Sequence, residues 1–386
     1  MKSSNLKTVP HGALEPIRVM HVIDKLSVSG SGTHGITRAI DWWITHFDSR
    51  QFQFTVCSLR FPEVAGETFK KKGIPIYFLS KAKFDPATLT SLLKLIQQKK
   101  PNILHLHGYG ASNFGRLASS LTGIPNIVHE HLVIENQPFY QNIADSLLSP
   151  LTTQAIAISP PVLDFMVARR KIKPEILETF FYGIPLSEFK LPKQDEVIQE
   201  RESLGITPDE QVIFYAGRLA EQKGLIYLLK AAILILKDFP KTRFLIVGDG
   251  PDMSMLQSFS LQEGIADRII FTGFREDIPI LLSLSDVVAI PSLYEGGPLT
   301  LFEAMNLCKP VVGTPVGLMG DVIQQGETGF LVPCKNVDIL AEKLIYLLAN
   351  PQLAQNMGKK GWEVCQNYDI SNSVKKLSEI YIQLVA

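Results

Sequence analysis

A chain of 386 residues is longer than one hydrophobic core ordinarily serves and predicts two domains or three. Hydrophobic residues make up 46% and charged residues 20%, which excludes a disordered chain and fits a soluble globular one. Net charge is zero, but up to Lys190 there are 21 Lys and Arg against 14 Asp and Glu, an excess of +7. That excess is either ordinary surface variation or the mark of a half that meets something anionic, such as a lipid headgroup or a phosphorylated acceptor.

In chain order, short β-branched apolar runs predict strands at Ile17–Ile23, Phe52–Leu59, Pro75–Leu79, Ile103–Leu106, Asn126–His129 and Ala155–Ile158. Helical patterns fall between them, for example Thr33–Phe47, Pro86–Gln98 and Ser112–Leu121. The alternation predicts a parallel sheet with helices on both faces. Leu191–Glu210 is polar, with Pro192 and Pro208, and reads as a linker with a short helix. A second series follows, with strands at Val212–Ala216, Phe244–Val247, Ile269–Phe271, Val287–Ile290, Pro310–Val312 and Gly329–Val332. Leu225–Lys237 and Val337–Ala349 are helices between them, and Ile370–Val385 is a terminal amphipathic helix. The expectation is an α/β protein with an N-terminal doubly wound domain (1–190), a linker (191–210), a second such domain (211–365) and a closing segment (366–386). Ligands of such sheets bind at the carboxyl ends of the strands, so two facing sheets make a cleft.

Cys57, Cys308, Cys334 and Cys365 form no CxxC and no close Cys/His cluster, which argues against a zinc site or disulfide framework and suits a reducing compartment. The polar stretch up to Pro16 has no apolar run of the signal-peptide kind, and no run reaches the length of a membrane span. A cytoplasmic protein, at most peripheral on a membrane, is expected.

Gly30-Ser31-Gly32-Thr33-His34-Gly35 matches G-x-G-x-x-G between a strand and a helix. Six residues separate Gly30 from the end of the strand, and Cys57-Ser58-Leu59-Arg60 lacks the acidic residue that would hold an adenosine ribose. Phosphate or acceptor contact, plain loop geometry and dinucleotide binding all remain open. Gly217 and Arg218, then Lys223 and Gly224, lie between a strand and a helix, where two cations can bind a diphosphate or stand solvated. Gly248-Asp249-Gly250-Pro251 follows a strand directly and alone signals a turn.

The stretch Pro291–Met305 says most. Pro298 suits a first helical position, and the amides near Gly297, Leu299 and Thr300 make an anion site at the helix start. Glu295 precedes that helix and Glu303 lies inside it, so a phosphate between them would leave each carboxylate a hydroxyl group to hold. In the first half, His105 and His107 alternate with Leu104 and Leu106, as in a strand passing out of the core, and His129, Glu130 and His131 end the next strand. No HExxH spacing occurs, so cleft histidines that meet sugar hydroxyls are expected rather than a metal site.

Glu295-x7-Glu303, Gly217-Arg218-x4-Lys223-Gly224, Gly248-Asp249-Gly250-Pro251, Gly313-x-Pro315-x-Gly317 and Gly326-x-x-Gly329-Phe330-Leu331-Val332-Pro333 together resemble the retaining glycosyltransferases of family 4, with the GT-B fold. The resemblance covers nearly the whole chain. It implies two Rossmann-like domains facing across a cleft, with the last helix crossing back to the first. It implies transfer of a sugar from a nucleoside diphosphate sugar, a UDP-sugar being favoured, to a glycan, lipid or small-molecule acceptor. Arg218 and Lys223 would hold the diphosphate, Glu295 the transferred sugar and Glu303 the ribose. Gly217, Gly248, Gly296, Gly297, Leu299 and Thr300 would line the donor site, and Phe274 would lie at the base. His131, six residues after Pro125, is the cleft histidine, and Gly30 and Gly32 would lie near phosphate and acceptor. No cofactor, metal or nucleic acid is expected. Three departures stand out: Ser29-Gly30-Ser31-Gly32-Thr33, Tyr182-Gly183-Ile184-Pro185, and Gly297 where the family often has an aromatic. Two other readings are an NADP-dependent oxidoreductase with Arg60 on a 2′-phosphate, and a silent nucleotide-binding module of the same fold.

Overall fold

The computed structural model describes residues 15–27, 35–134 and 138–386. The first series is β1 (Ile17–Ile23), α1 (Gly35–His46), β2 (Phe52–Ser58), α2 (Gly66–Lys71), β3 (Ile76–Phe78), α3 (Ala87–Lys99), β4 (Ile103–His107), α4 (Tyr109–Thr122), β5 (Asn126–Glu130), α5 (Phe139–Leu148), β6 (Gln154–Ala157), α6 (Pro160–Ala168) and β7 (Leu177–Thr179). After α7 (Gln194–Ser203) come β8 (Val212–Ala216), α8 (Leu225–Asp238), β9 (Arg243–Val247), α9 (Met253–Gln262), β10 (Ile269–Gly273), α10 (Ile278–Ser283), β11 (Val287–Ile290), α11 (Leu299–Asn306), β12 (Val311–Gly313), α12 (Met319–Val322) and β13 (Gly329–Leu331). Three helices close the chain: α13 (Val337–Ala349), α14 (Pro351–Cys365) and α15 (Ile370–Val385).

Each series folds into one parallel sheet. Their orders are β3-β2-β1-β4-β5-β6-β7 and β10-β9-β8-β11-β12-β13. Strands such as Val-Ile-Phe-Tyr-Ala in β8 are apolar on both faces because helices cover both. The chain order reverses between β1 and β4 in one sheet and between β8 and β11 in the other. Crevices open at those two points, outside the carboxyl ends of the strands.

The strand expectations fall within a residue or two of the observed ones, and β7 is a seventh strand that the apolar pattern of Leu177–Thr179 does not announce. Pro298 stands just outside α11, with Leu299 as the first helical residue, one position later than its sequence suggests. His105 and His107 are not leaving the core: both are fully buried, because α1 and the returning α15 cover that face of β4.

The two halves are joined by packing as well as by chain. Phe181, Phe302 and Tyr368 pack in series as tilted rings, with centroids 4.5 and 4.7 Å apart. Ile184 exchanges backbone hydrogen bonds with the start of α15, through Tyr368 O at 3.0 Å and Ile370 N at 2.8 Å. Gly183 is required there. Its φ is +73°, and a Cβ would stand 2.7 Å from the Ile370 Cα. The departure at Tyr182-Gly183-Ile184-Pro185 thus keeps its glycine where the closing helix crosses.

Candidate active site

A cavity of about 360 Å³ lies between the two sheets, at the β8/β11 crevice. Its floor comes from the loop after β8. Gly217 N–H donates to Val247 O at 3.0 Å, which holds that loop against the end of β9. Gly248, with φ +133°, lets the two loops touch: a Cβ there would sit 1.9 Å from Gly217 O. Arg218 lines the cavity, forms no ion pair among the described residues, and has a buried Nε without a hydrogen-bond partner. That buried N–H is free to meet an acceptor bound in the cavity.

Lys223 reaches the cavity from the same loop and pairs with Glu295. Glu295 is 6% exposed and also accepts the Ser292 hydroxyl at 2.8 Å. It is therefore a fixed acceptor, not a solvated loop carboxylate. Gly296, Gly297, Leu299 and Thr300 carry the chain past it into α11 and line the cavity. The Thr300 hydroxyl donates to Ala216 O at 3.2 Å, which ties the helix start to β8. Beside Gly297 the space is taken by Phe181, whose ring would meet a Cβ at 2.7 Å. This explains why that position carries no aromatic of its own. Tyr182 caps the same loop by donating from its phenol to Gly297 O at 2.8 Å. Burial, then the Glu295 charge, raises the Tyr182 pKa, so the phenol stays protonated and able to donate.

Glu303 is 2% exposed, and its Oε1 accepts Arg38 Nη2 at 2.6 Å. Arg38 belongs to α1 and lies over the Trp42 ring, 4.7 Å from its centroid. This ion pair joins the two halves across the cleft. Sequence reasoning missed Arg38. Its one signal is a cation in the first turn of an amphipathic helix, and nothing local says it reaches a carboxylate 265 residues away. Phe274, half exposed, stands at the cavity rim after β10.

From the N-terminal half, His131 reaches the cavity. Behind it lies a buried array. His21 Nδ1 is 2.9 Å from His107 Nε2, and His107 Nδ1 is 3.0 Å from His131 Nε2. A second row runs from the Tyr381 phenol to His105 Nδ1 at 2.7 Å and from His105 Nε2 to His129 Nδ1 at 3.1 Å. Trp43 stacks against His105 and His129. Burial pushes the His21 pKa down to about 3 and holds His105, His107 and His129 well below 6.5, with neighbouring histidines adding to the shift. The array is therefore neutral at ordinary pH. Two trios, His21 with His105 and His107, and His107 with His129 and His131, bring ligand atoms within 4.8 Å of one another. Most rings within the trios are stacked, for example 4.4 Å between the His105 and His107 centroids and 27° between their planes. Within each trio the ring nitrogens are engaged with one another, His21 with His107 at 2.9 Å and His107 with His131 at 3.0 Å.

Gly30 and Gly32 lie outside the described residues. Arg60, offered for a 2′-phosphate, is engaged elsewhere: it pairs with Asp24 and donates to Ala82 O at 2.7 Å. Asp24 in turn accepts Gly110 N–H at 2.8 Å. Among the described residues no helix is long and apolar enough to cross a membrane.

Known proteins share this architecture. A family model described as Glycosyl transferases group 1 matches residues 196–364, and one described as Glycosyltransferase Family 4 matches residues 33–188. The UDP-Gal:alpha-D-GlcNAc-diphosphoundecaprenol alpha-1,3-galactosyltransferase of Escherichia coli is 26% identical over 314 residues, covering 78% of this chain and 80% of that protein. The alpha-D-kanosaminyltransferase of Streptomyces kanamyceticus is 27% identical over 296 residues, covering 72% and 76%. In fold, Anabaena HepE in complex with UDP superposes with a TM-score of 0.83 at 18% identity, over 95% of this chain and 100% of that one. Between them the two family models take in the Arg218–Lys223 loop, the Glu295–Glu303 segment and the N-terminal half that faces them, and the chain is a glycosyltransferase of family 4 with the GT-B fold.

Proposed function

We propose that the chain moves a sugar from a nucleoside diphosphate sugar to an acceptor hydroxyl and retains the anomeric configuration. The observation that carries this is the unpaired Arg218 guanidinium beside Lys223, at the β8/β11 crevice where α11 begins. Two cations and the free amides of a helix start make a site for two adjacent phosphates. Glu295 and Glu303 stand to either side, one for hydroxyls of the sugar and one for the ribose. Glu303 gives Oε1 to Arg38, and Oε2 has no partner among the described residues and can accept a ribose hydroxyl. Phe274 at the rim offers an apolar face to the base, and His131 faces the sugar from the opposite half.

In the proposed step the acceptor oxygen forms its bond to the anomeric carbon on the face from which the diphosphate leaves. The carbon–oxygen bond to the phosphate breaks, and the acceptor proton passes to that leaving phosphate oxygen. Arg218, Lys223 and the α11 amides stabilise the charge that builds there. This assigns charge neutralisation to the protein's own cations. The uridine donor is favoured by the Escherichia coli relative, whose name specifies UDP-Gal. A thermal-shift screen against UDP, GDP and ADP and their sugars tests the reading. UDP should give the largest rise in Tm. No rise with any nucleotide would refute the donor site.

A further inference from the structure

Helix α5 (Phe139–Leu148) is built inside out. Its inward face is polar: Gln141 and Asp145 are buried, Asp145 to 1% exposure. The Asp145 carboxylate accepts Arg170 Nη1 at 2.8 Å and meets Arg116 Nη1 at 3.4 Å, and Tyr109 donates to Gln141 O at 3.3 Å. These buried contacts fix the rotation of the helix. They leave Phe139, Ile143 and Leu147, four residues apart, pointing outward with 75%, 55% and 71% of their surface exposed. An ordinary surface helix of a globular protein turns its apolar stripe to the core.

The outward face is not isolated. Tyr140 meets the exposed Phe84 edge-on at 6.0 Å, which extends the apolar strip to the loop after β3. Lys83 lies over the Phe84 ring at 5.4 Å, and Lys81 is nearby in the same loop. Among the described residues, carboxylates on this edge accept hydrogen bonds from within the protein. Asp85 accepts Ala87 N–H at 2.8 Å, Glu63 accepts the Ser27 hydroxyl at 2.8 Å, and Asp24 holds Arg60. What faces outward is apolar surface flanked by cations, within the half that carries the +7 excess. That is the composition of a surface that seats in the boundary between anionic headgroups and acyl chains.

We propose that α5 and Phe84 dock the N-terminal half onto an anionic lipid bilayer. The helix follows β5, so its first residues, with Phe139, lie toward the same carboxyl edge as the cleft. Docking there sets the acceptor half against the membrane, where it would meet a lipid-borne acceptor. The benefit to transfer rests on the reading above, but the docking surface does not.

The test is co-sedimentation of the full chain with vesicles of phosphatidylglycerol mixed with phosphatidylcholine, and of phosphatidylcholine alone. The protein should pellet with the anionic vesicles and do so less at high salt. Replacing Phe139, Ile143 and Leu147 together by Ser should weaken pelleting by roughly tenfold or more. Lys81→Ala with Lys83→Ala should remove mainly the salt-sensitive part. A Phe139→Trp variant should show a blue shift of its added emission on vesicles, without relying on a loss of binding. Failure of the wild-type chain to pellet with anionic vesicles overturns the proposal. So does unchanged pelleting of the triple variant, or a wild-type dimer in sedimentation velocity that the triple variant abolishes while neither binds vesicles. UDP thermal shifts on the same proteins keep the two readings separate. A triple variant that loses vesicles and keeps its UDP shift supports docking, and a wild type that binds vesicles but not UDP refutes the donor reading alone.

Discussion

The two sheets share a topology and differ in what they do with their polar groups. At the β8/β11 crevice the C-terminal half leaves Arg218 without a partner and holds Glu295 and Glu303 at fixed points around a cavity. At the corresponding β1/β4 crevice the N-terminal half satisfies its charges internally, Asp24 with Arg60, and buries neutral histidines behind His131. One half gathers two cations and two carboxylates around a cavity, and the other pairs Asp24 with Arg60 and buries neutral histidines. The lesson is that a doubly wound sheet marks where a ligand can go, while the charged side chains gathered at its crevice mark which sheet receives it.

The largest expected effect separates the halves by pH. His21, His105, His107 and His129 have folded-state pKa values below 6.5, so the unfolded chain binds more protons once pH falls beneath that value. Their contribution is fully present above about pH 6.5 and is lost as pH falls towards about 3 for His21. Each histidine gives up about 1.4 kcal/mol per pH unit, and four together remove several kcal/mol, a large part of a domain's stability. Calorimetry from about pH 7.5 to about pH 5.5 should show a steep fall in Tm. A flat profile would show that the array is not held neutral.

Next in size, Lys223→Ala should lower transfer by about a thousandfold, the effect of losing a charge contact worth about 3–4 kcal/mol in the transition state. Near-normal turnover would remove Lys223 from the diphosphate. Glu303→Ala should weaken UDP binding by about tenfold or more, as expected for a hydrogen bond to a charged group. Arg38→Ala should not weaken it, because the carboxylate remains. Equal losses in both variants, measured by calorimetric titration, would make the Glu303–Arg38 pair a joint between halves and not a ribose contact. The smallest effect is His21→Phe, which removes one histidine from the array among Phe54 and Trp43. It should flatten the acid dependence of the unfolding free energy by about 1.4 kcal/mol per pH unit and leave UDP binding unchanged.

Much of the donor half was legible because its signals are local. A strand end, a short loop and a helix start adjoin in sequence, so Arg218, Lys223, Glu295 and Thr300 could be placed at one edge by counting. The N-terminal half was less legible. His105 and His107 read as a strand leaving the core because alternation reports two faces and not what covers them. Nothing in the Thr33–Phe47 helical pattern singled out Arg38. The apolar residues of α5 gave no warning that the helix faces outward, since periodicity shows that a stripe exists and not which way it turns.

By itself the sequence determined the two parallel sheets, their helices, and the residues at the carboxyl edge of the second sheet. Those follow from side-chain period and from groups a few residues apart. Tertiary structure alone decided the pairing of Arg38 with Glu303, the burial of the histidine array beneath α1 and α15, and the outward turn of α5. Each of these depends on a contact between distant segments. The Arg38 partner lies 265 residues along the chain and the Tyr381 phenol 276 residues from His105. Asp145 turns its helix over because two arginines from other elements, Arg116 and Arg170, are buried where it can reach them. Turning the helix the other way would strand those two buried guanidiniums at a cost of about 3–5 kcal/mol, comparable in size to the gain from burying three apolar side chains.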